Sequence, residues 1–191
     1  LRDTNLIAIS YNNIGCNYHQ QNNYEKALEY YLKSLEIRKN LRDTNLIAIS
    51  YNNIGDVYLK QNNYDKSLEY YQNALELEKI ISYKRGIVFT YNGMGQIYMK
   101  QDKMHDAMNY LKKSLTLAKE IEDLFLKAEV YNNLSSAYKK LNDYKKAYEY
   151  HKLYTTAKDS LFNDEKSKEI GRLEAKYEFE KETEAQEKQI Q

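Results

Sequence analysis

The stretch of sequence that decides the fold spans eight residues and reads Tyr51-Asn52-Asn53-Ile54-Gly55-Asp56-Val57-Tyr58. Its first five residues recur every 40 residues, unchanged as Tyr11-Asn12-Asn13-Ile14-Gly15 and altered as Tyr91-Asn92-Gly93-Met94-Gly95 and Tyr131-Asn132-Asn133-Leu134-Ser135. A fixed period of this length is typical of repeat arrays, in which each repeat buries its apolar face against its neighbours. The chain of 191 residues is therefore predicted to form one elongated array.

Each repeat unit is predicted to contain two amphipathic helices. Residues 1–15 recur letter for letter at 41–55, so the first helices of the first two units share this sequence. In the second unit, small and apolar residues stand at helical spacing in two sets. The first set is Ala48, Tyr51, Ile54, Gly55 and Tyr58, and the second is Tyr64, Ser67, Leu68, Tyr71, Ala74 and Leu75. Between the sets, Asn62 suits a left-handed residue that ends the first helix, and Asn63 suits the N-cap of the second.

The pattern Tyr-x-x-Ile-Gly-x-x-Tyr, followed by Tyr-x-x-Ser/Ala-x-x-x-Tyr-x-x-Ala/Ser, resembles the tetratricopeptide repeat. The resemblance implies an all-α fold, an α-solenoid of antiparallel helix pairs wound into a right-handed superhelix. Small residues recur where the two helices of that repeat pack closely, at Gly15, Gly55, Gly95, Ala27, Ser67, Ala107 and Ala147. The period exceeds the family's usual length of roughly 34 residues, and the chain contains no proline. With its period of 40 residues, the chain resembles the long-repeat type found in bacterial sensor and signalling proteins.

Four repeat units are expected at residues 5–40, 41–80, 81–120 and 121–156. A long C-terminal helix at 157–191 is expected to cap the array and then leave it. Part of this helix follows a coiled-coil spacing, at Ile170, Leu173 and Tyr177, although the next positions in that register are charged. The segment from Asp159 to Glu178 resembles the connector that joins such repeats to a membrane helix or an output domain in bacterial sensor proteins. We also expect self-association through this helix.

Charge and composition argue against several classes of function. The chain has 29 basic and 28 acidic residues, a net charge of +1, so it lacks the overall basic field expected of a nucleic-acid-binding protein. No segment approaches the roughly 20 apolar residues that span a bilayer, so we expect no membrane contact by this chain. Phosphate-binding glycine loops and His-Glu-x-x-His motifs are missing, and the three histidines fall in separate units. We therefore expect no enzymatic activity, no metal and no cofactor.

The compartment stays open at the level of sequence. The chain does not begin with Met and opens within a repeat unit, so we expect a fragment or a processed form of a longer protein. The sequence as given is expected to carry no signal peptide, which says little about the compartment of a longer parent protein. The single Cys16 is compatible with a reducing or an oxidising environment.

A second stripe of side chains lies opposite the packing set of each first helix, and in the second unit it comprises Ile49, Asn52, Asn53, Asp56 and Lys60. In a right-handed stack of helix pairs this stripe lines the concave groove. The candidate site residues on it are Asn12, Asn13, Asn52, Asn53, Asn92, Asn132, Asn133, Lys60, Lys100 and Lys140. An asparagine amide has the donors and the acceptor that pair with the main chain of an extended peptide. The family resemblance implies this role for Asn13, Asn53 and Asn133, and the lysines would attract acidic groups.

Two interpretations without a binding role also account for these asparagines and lysines. One ancestral unit was copied together with its asparagines, some of which then bridge neighbouring repeats. The lysines end their helices, where the helix dipole favours them in any case. The recurring tyrosines are interpreted as packing residues.

The expected function is non-enzymatic recognition of a protein or peptide ligand, as the sensing or interaction module of a larger signalling protein. Two alternatives stay open. The chain is the sensory arm of a histidine kinase whose catalytic domain lies beyond it, or it is a structural oligomerisation module whose groove stays empty or holds the protein's own C-terminal helix.

Overall fold

The computed structural model describes the backbone of residues 2–190 and the side chains of residues 4–164, 166–176 and 179. The described chain contains eight helices, which are α1 Arg2–Gln20, α2 Tyr24–Leu41, α3 Thr44–Lys60, α4 Tyr64–Ile80, α5 Lys84–Lys100, α6 Met104–Glu120, α7 Leu124–Lys140 and α8 Tyr144–Ile190. Each helix packs on the next, and α3 also packs on α5, as α5 does on α7. The predicted all-α solenoid of helix pairs is confirmed.

Every connection is a short turn built on one left-handed residue. Positive φ angles between 54° and 59° occur at Asn22, Arg42, Asn62, Ser82, Asp102, Glu122 and Asn142. The prediction for the turn of the second unit is confirmed, because Asn62 is left-handed and the side chain of Asn63 accepts a hydrogen bond from the backbone N–H of Lys66 at 3.4 Å. Asparagine and aspartate tolerate this conformation better than most residues, since their short polar side chains bond locally.

The small residues of the repeat allow the two helices of a unit to approach closely. A Cβ added to Gly55 would lie 3.0 Å from the ring of Tyr71, which is 1% exposed. On the facing helix, the hydroxyl of Ser67 donates a 2.7 Å hydrogen bond to the Gly55 carbonyl oxygen. This contact needs a residue without a side chain on one helix and a small residue on the other, which explains why glycine recurs with alanine or serine in the first three units.

Three tyrosines pack together in every unit. In the second unit the ring of Tyr70 stacks on Tyr58 with centroids 5.5 Å apart, and it meets Tyr51 at 5.9 Å. The other trios are Tyr11, Tyr18 and Tyr30; Tyr91, Tyr98 and Tyr110; and Tyr131, Tyr138 and Tyr150. A lysine amino group lies 5.2 Å from the ring centre of Tyr58, which adds a cation–π contact.

The eighth helix continues without a break through Ala157, where the fourth unit is expected to end. Ala157 is buried and Leu161 is half-buried, whereas the described side chains from Phe162 onward are exposed. The start of the expected C-terminal helix, at Ala157 and Leu161, thus packs on the array, and its described side chains from Phe162 onward do not. The side chain of Tyr177 lies outside the described residues. None of the described helices is long and apolar enough to cross a membrane.

Candidate functional site

The first helices of the units form the inner, concave face of the solenoid. Among the described residues, α3, α5 and α7 contact one another in sequence, whereas α4 and α6 have no comparable contact. The second helices are thus spread apart on the outside, and the stack curves around the first helices.

Three adjoining pockets of about 170, 320 and 360 Å³ make this inner face a continuous groove. The first and second pockets share Phe89 and Phe125, and the second and third share Gln96 and Asn133.

The groove changes character across its width. One edge carries the apolar side chains Ile49, Phe89 and Phe125, of which Phe89 is 38% and Phe125 is 52% exposed, and the charged residues Arg85 and Glu129 line the pockets beside them. The opposite edge is basic and carries Lys60, Lys100 and Lys140. Ile49 and Lys60 lie at the two ends of this stripe on α3, as Phe89 and Lys100 do on α5. At a rise of 1.5 Å per residue, the two edges are about 16 Å apart along each of these helices. Asparagine side chains occupy the middle.

Two of the groove asparagines bridge neighbouring repeats. The side-chain amide of Asn53 donates to the side-chain carbonyl of Asn12 at 2.9 Å, and Asn133 donates to Asn92 in the same way, also at 2.9 Å. These bonds are the bridges that the copied-asparagine interpretation anticipates. Each donor amide nevertheless keeps a second N–H and a carbonyl oxygen that make no hydrogen bond within the described chain.

The other groove asparagines fall into three groups, of which the first is Asn12 alone, which is half-buried. Asn52 and Asn92 are buried, at 5% and 7% exposure, although both line a pocket wall. Asn13 and Asn132 are exposed. The structure therefore brings Asn53, Asn132 and Asn133 to the surface of the groove and uses Asn52 inside the protein.

The buried amide of Asn52 belongs to a closed network with Glu78 and Thr90. Asn52 Nδ2 donates to Glu78 Oε1 at 2.6 Å, and the Thr90 hydroxyl lies 2.7 Å from Asn52 Oδ1 and 2.8 Å from Glu78 Oε2. The single hydroxyl proton of Thr90 cannot serve both oxygens. A proton on Glu78 Oε2, donated to Thr90 Oγ1, lets the hydroxyl donate to Asn52 and satisfies all three groups.

The position of Glu78 agrees with this protonated form. The side chain is 0% exposed, and burial raises its pKa to about 7, against the opposing effect of the hydrogen bonds from Thr90 and Asn52. The network joins the second unit to the third, because Asn52 lies on α3, Glu78 on α4 and Thr90 on α5.

The three lysines of the basic edge differ in their contacts. The Lys140 ammonium donates to the backbone oxygen of Met99 at 2.8 Å and pairs with Asp102 at 2.7 Å, so it ties the fourth unit to the end of α5. Lys60 and Lys100 are exposed and make no ion pair within the described residues. These two charges remain available to an acidic ligand.

Tyr71 is a groove residue that the sequence did not indicate. Its ring lies between Gly55 and Gly93, and a Cβ added to Gly93 would be 2.7 Å from the hydroxyl oxygen. This hydroxyl lines the second pocket and makes no hydrogen bond within the described chain. Burial, and secondly the negative charge of Asp56, raise the pKa of the phenol, so it stays a neutral donor. The sequence feature that could have indicated Tyr71 is Gly93, which replaces the asparagine of the other units.

Comparisons with solved structures show the same fold. The chain is similar to the crystal structure of aspartyl phosphate phosphatase F from Bacillus subtilis, with a TM-score of 0.75 and 18% identity over 84% of this chain. It is also similar to BtubC (BKLC) from P. vanneervenii, with a TM-score of 0.68 and 18% identity over 83% of this chain. The chain spans 42% and 65% of the lengths of these two proteins.

A comparison with curated protein sequences gives no match. The model of the tetratricopeptide repeat family matches residues 6–79 and 87–159, which together make up most of the chain. The chain therefore belongs to the tetratricopeptide repeat family, whose members are generally non-catalytic scaffolds for protein–protein interaction.

Proposed function

We propose that this chain is a non-enzymatic recognition module whose concave groove binds an extended peptide or protein segment. The observation that carries the proposal is the pair Asn53 and Asn133, two half-buried amides in equivalent positions of the second and fourth units. Each has an unused N–H and an unused carbonyl oxygen. An extended main chain presents the complementary groups at regular intervals.

Charge supports a preference for acidic ligands. Lys60 and Lys100 form a basic edge without ion-pair partners in the described chain. Such charges speed association and discriminate against basic ligands more than they add affinity. We propose that recognition of this kind serves a larger signalling protein.

The test is selection from a random peptide library, followed by calorimetric titration of one selected peptide. The double variant Asn53→Ala and Asn133→Ala should weaken binding by roughly 1–3 kcal/mol, because ligand groups lose their partners. Asn17→Ala with Asn109→Ala is the matched control, since both residues are exposed and lie outside the groove. Equal affinity of the groove variant and the control would overturn the proposal.

The groove variant also affects stability. Each substitution removes an inter-repeat hydrogen bond, with a net value of about 0.5–1.5 kcal/mol. The titrations therefore belong at a temperature well below the lower melting midpoint.

A second candidate function is self-association through α8. Three large apolar side chains on its outer part, Phe162, Ile170 and Leu173, are 64%, 48% and 61% exposed. Side chains of this size favour burial against another helix. Sedimentation equilibrium should show a dimer that Leu173→Glu converts to a monomer. A monomeric parent chain at high micromolar concentration would contradict it.

A further inference from the structure

The positions at which the third and fourth units depart from the repeat point to a specialised part of the groove. Copying explains why four units share asparagines, but it cannot explain a departure. Gly86 stands where the other units have Leu6, Leu46 and Leu126, and Gly93 stands where they have Asn13, Asn53 and Asn133. Phe89 replaces Ile9, Ile49 and Glu129, and Phe125 replaces Asn5, Asn45 and Arg85. All four departures line the first two pockets.

The two glycines remove side chains from the floor of the groove. The space of a Cβ at Gly86 is taken by the Glu78 carboxylate, and that of a Cβ at Gly93 is taken by the tip of Tyr71. The glycine at 93 therefore lets Tyr71, which comes from a second helix, reach the groove surface.

The Tyr71 hydroxyl is the unpartnered group of this floor. The residue is 1% exposed, and its hydroxyl has no hydrogen bond within the described chain. In the first unit, the equivalent Tyr31 donates to the sulfur of Cys16 at 3.3 Å. The hydroxyl is not among the buried polar atoms that lack a partner, because it meets the second pocket, and there it is a donor available to a ligand atom that accepts a hydrogen bond.

The two phenylalanines form the apolar wall above this floor. They are half-exposed on the concave face, in a chain that contains only four phenylalanines. Aromatic walls bind a flat apolar ring with a geometric preference beyond simple burial.

We propose that Tyr71, Phe89 and Phe125 form an anchor site for one aromatic side chain of an extended peptide, with an acidic residue next to it in the sequence. The reason for the acidic neighbour is the period of two of an extended chain, which sends successive side chains to opposite sides. A ring directed to the phenylalanine edge sends its neighbour to the edge of Lys60 and Lys100. The Tyr71 hydroxyl donates to a main-chain carbonyl of the peptide. This inference rests on the proposed function and adds the class of ligand.

The probe is a random decapeptide library displayed on phage, selected on the whole chain. Selected sequences should be enriched in an aromatic residue flanked by Asp or Glu. Tyr71→Phe should weaken a selected peptide about 5- to 10-fold, as expected for one lost hydrogen bond, without lowering the melting temperature. Tyr31→Phe is its matched control and should leave the affinity unchanged. Phe125→Ala should weaken binding more than Tyr71→Phe, whereas Phe162→Ala, on the exposed part of α8, should not.

The outcomes separate the anchor site from the groove function. Selected peptides that depend on Asn53 and Asn133 but lack an aromatic residue would overturn the anchor site and leave the groove function standing. Unchanged affinity of Tyr71→Phe and Phe125→Ala would do the same. A library that yields no specific peptide would overturn both.

Discussion

Asn53 donates a hydrogen bond of 2.9 Å from its side-chain amide to the side-chain carbonyl of Asn12, which lies one repeat earlier. The same bond recurs between Asn133 and Asn92. The asparagines of the groove thus connect adjacent units, and each of the two donors keeps hydrogen-bonding groups that nothing in the described chain uses. Packing between repeats and recognition are therefore compatible uses of the same side chain.

The close helix contact at Gly55 gives a stability prediction. Gly55→Leu should lower the free energy of unfolding by about 1–3 kcal/mol, because the new side chain meets the Tyr71 ring. Gly171→Leu is the matched control, since nothing lies within 4 Å of a Cβ added there. Denaturant melts followed by circular dichroism measure both variants. Equal stability of the two would refute the packing assigned to Gly55.

The buried Glu78 predicts that stability depends on pH. The pKa of this carboxyl rises from 4.5 in a free chain to about 7 in the folded protein, so the folded state holds a proton that the unfolded state releases. The free energy of unfolding should therefore fall as the pH rises from 4.5 through 7, by on the order of 3 kcal/mol from this group. Urea melts across this range measure the effect.

Glu78→Gln should abolish most of that slope and stabilise the protein above pH 7. The glutamine amide donates to Thr90 Oγ1 and its oxygen accepts from Asn52, as in the protonated acid. Glu76→Gln, at an exposed position on the same helix, is the control and should keep the parent slope. A Glu78→Gln variant with the parent's pH dependence would show that this network does not hold the proton.

The two unpaired lysines give a kinetic prediction. Lys60→Glu with Lys100→Glu should slow the association of an acidic peptide and leave its dissociation rate nearly unchanged, because exposed charges act mainly on the encounter. Raised salt should reduce the difference between the variant and the parent. Stopped-flow fluorescence measures both rates. If the change were confined to dissociation, the lysines would be direct contacts and not a steering edge.

Lys140 should behave differently from the other two lysines. Lys140→Met removes the bond to the Met99 carbonyl and the exposed pair with Asp102, so it should lower stability by up to about 1 kcal/mol. Lys100→Met, the matched control one unit earlier, should not change the melting temperature. A larger loss in the Lys100 variant would contradict these assignments.

The outer part of α8 predicts the effect of truncation. At a protein concentration at which the chain is monomeric, removing residues 163–191 should leave the melting temperature unchanged, because the described side chains there are exposed. Removing 157–191 should cost roughly 1–2 kcal/mol, since Ala157 and part of Leu161 are buried against the array. Calorimetric melts compare the two truncated proteins. A large loss in the shorter truncation would mean that the end of α8 supports the repeats.

The fold could be predicted from the sequence because the same packing residues recur at a fixed period. The period of 40 residues, the glycine at 55 with its small partner at 67, and the Asn62-Asn63 turn are local signals, and each has one structural solution. The sequence did not show that α8 continues unbroken through Ala157. Helix propensity is the same whether or not a helix packs on its neighbours, so it does not mark the point at which packing ends.

The groove could be predicted only in part, because exposure depends on residues from other units. Asn52 and Asn53 are adjacent on the same helix, yet Glu78 and Thr90 draw Asn52 into the interior. Tyr71 belongs to a packing set, and only the absence of a side chain at Gly93 brings its hydroxyl to the groove. The two Asn52 contacts cross 26 and 38 residues of sequence, and Tyr71 and Gly93 are also distant in sequence, so these pairings leave no local periodic signal.

Photo-cross-linking tests most directly whether the concave face is the recognition surface. A selected peptide carrying a benzophenone side chain is irradiated with the chain, and the adducts are located by mass spectrometry. We predict adducts on α3, α5 and α7, near Ile49, Phe89 and Phe125. Adducts confined to α2, α4, α6 or the outer part of α8 would contradict it.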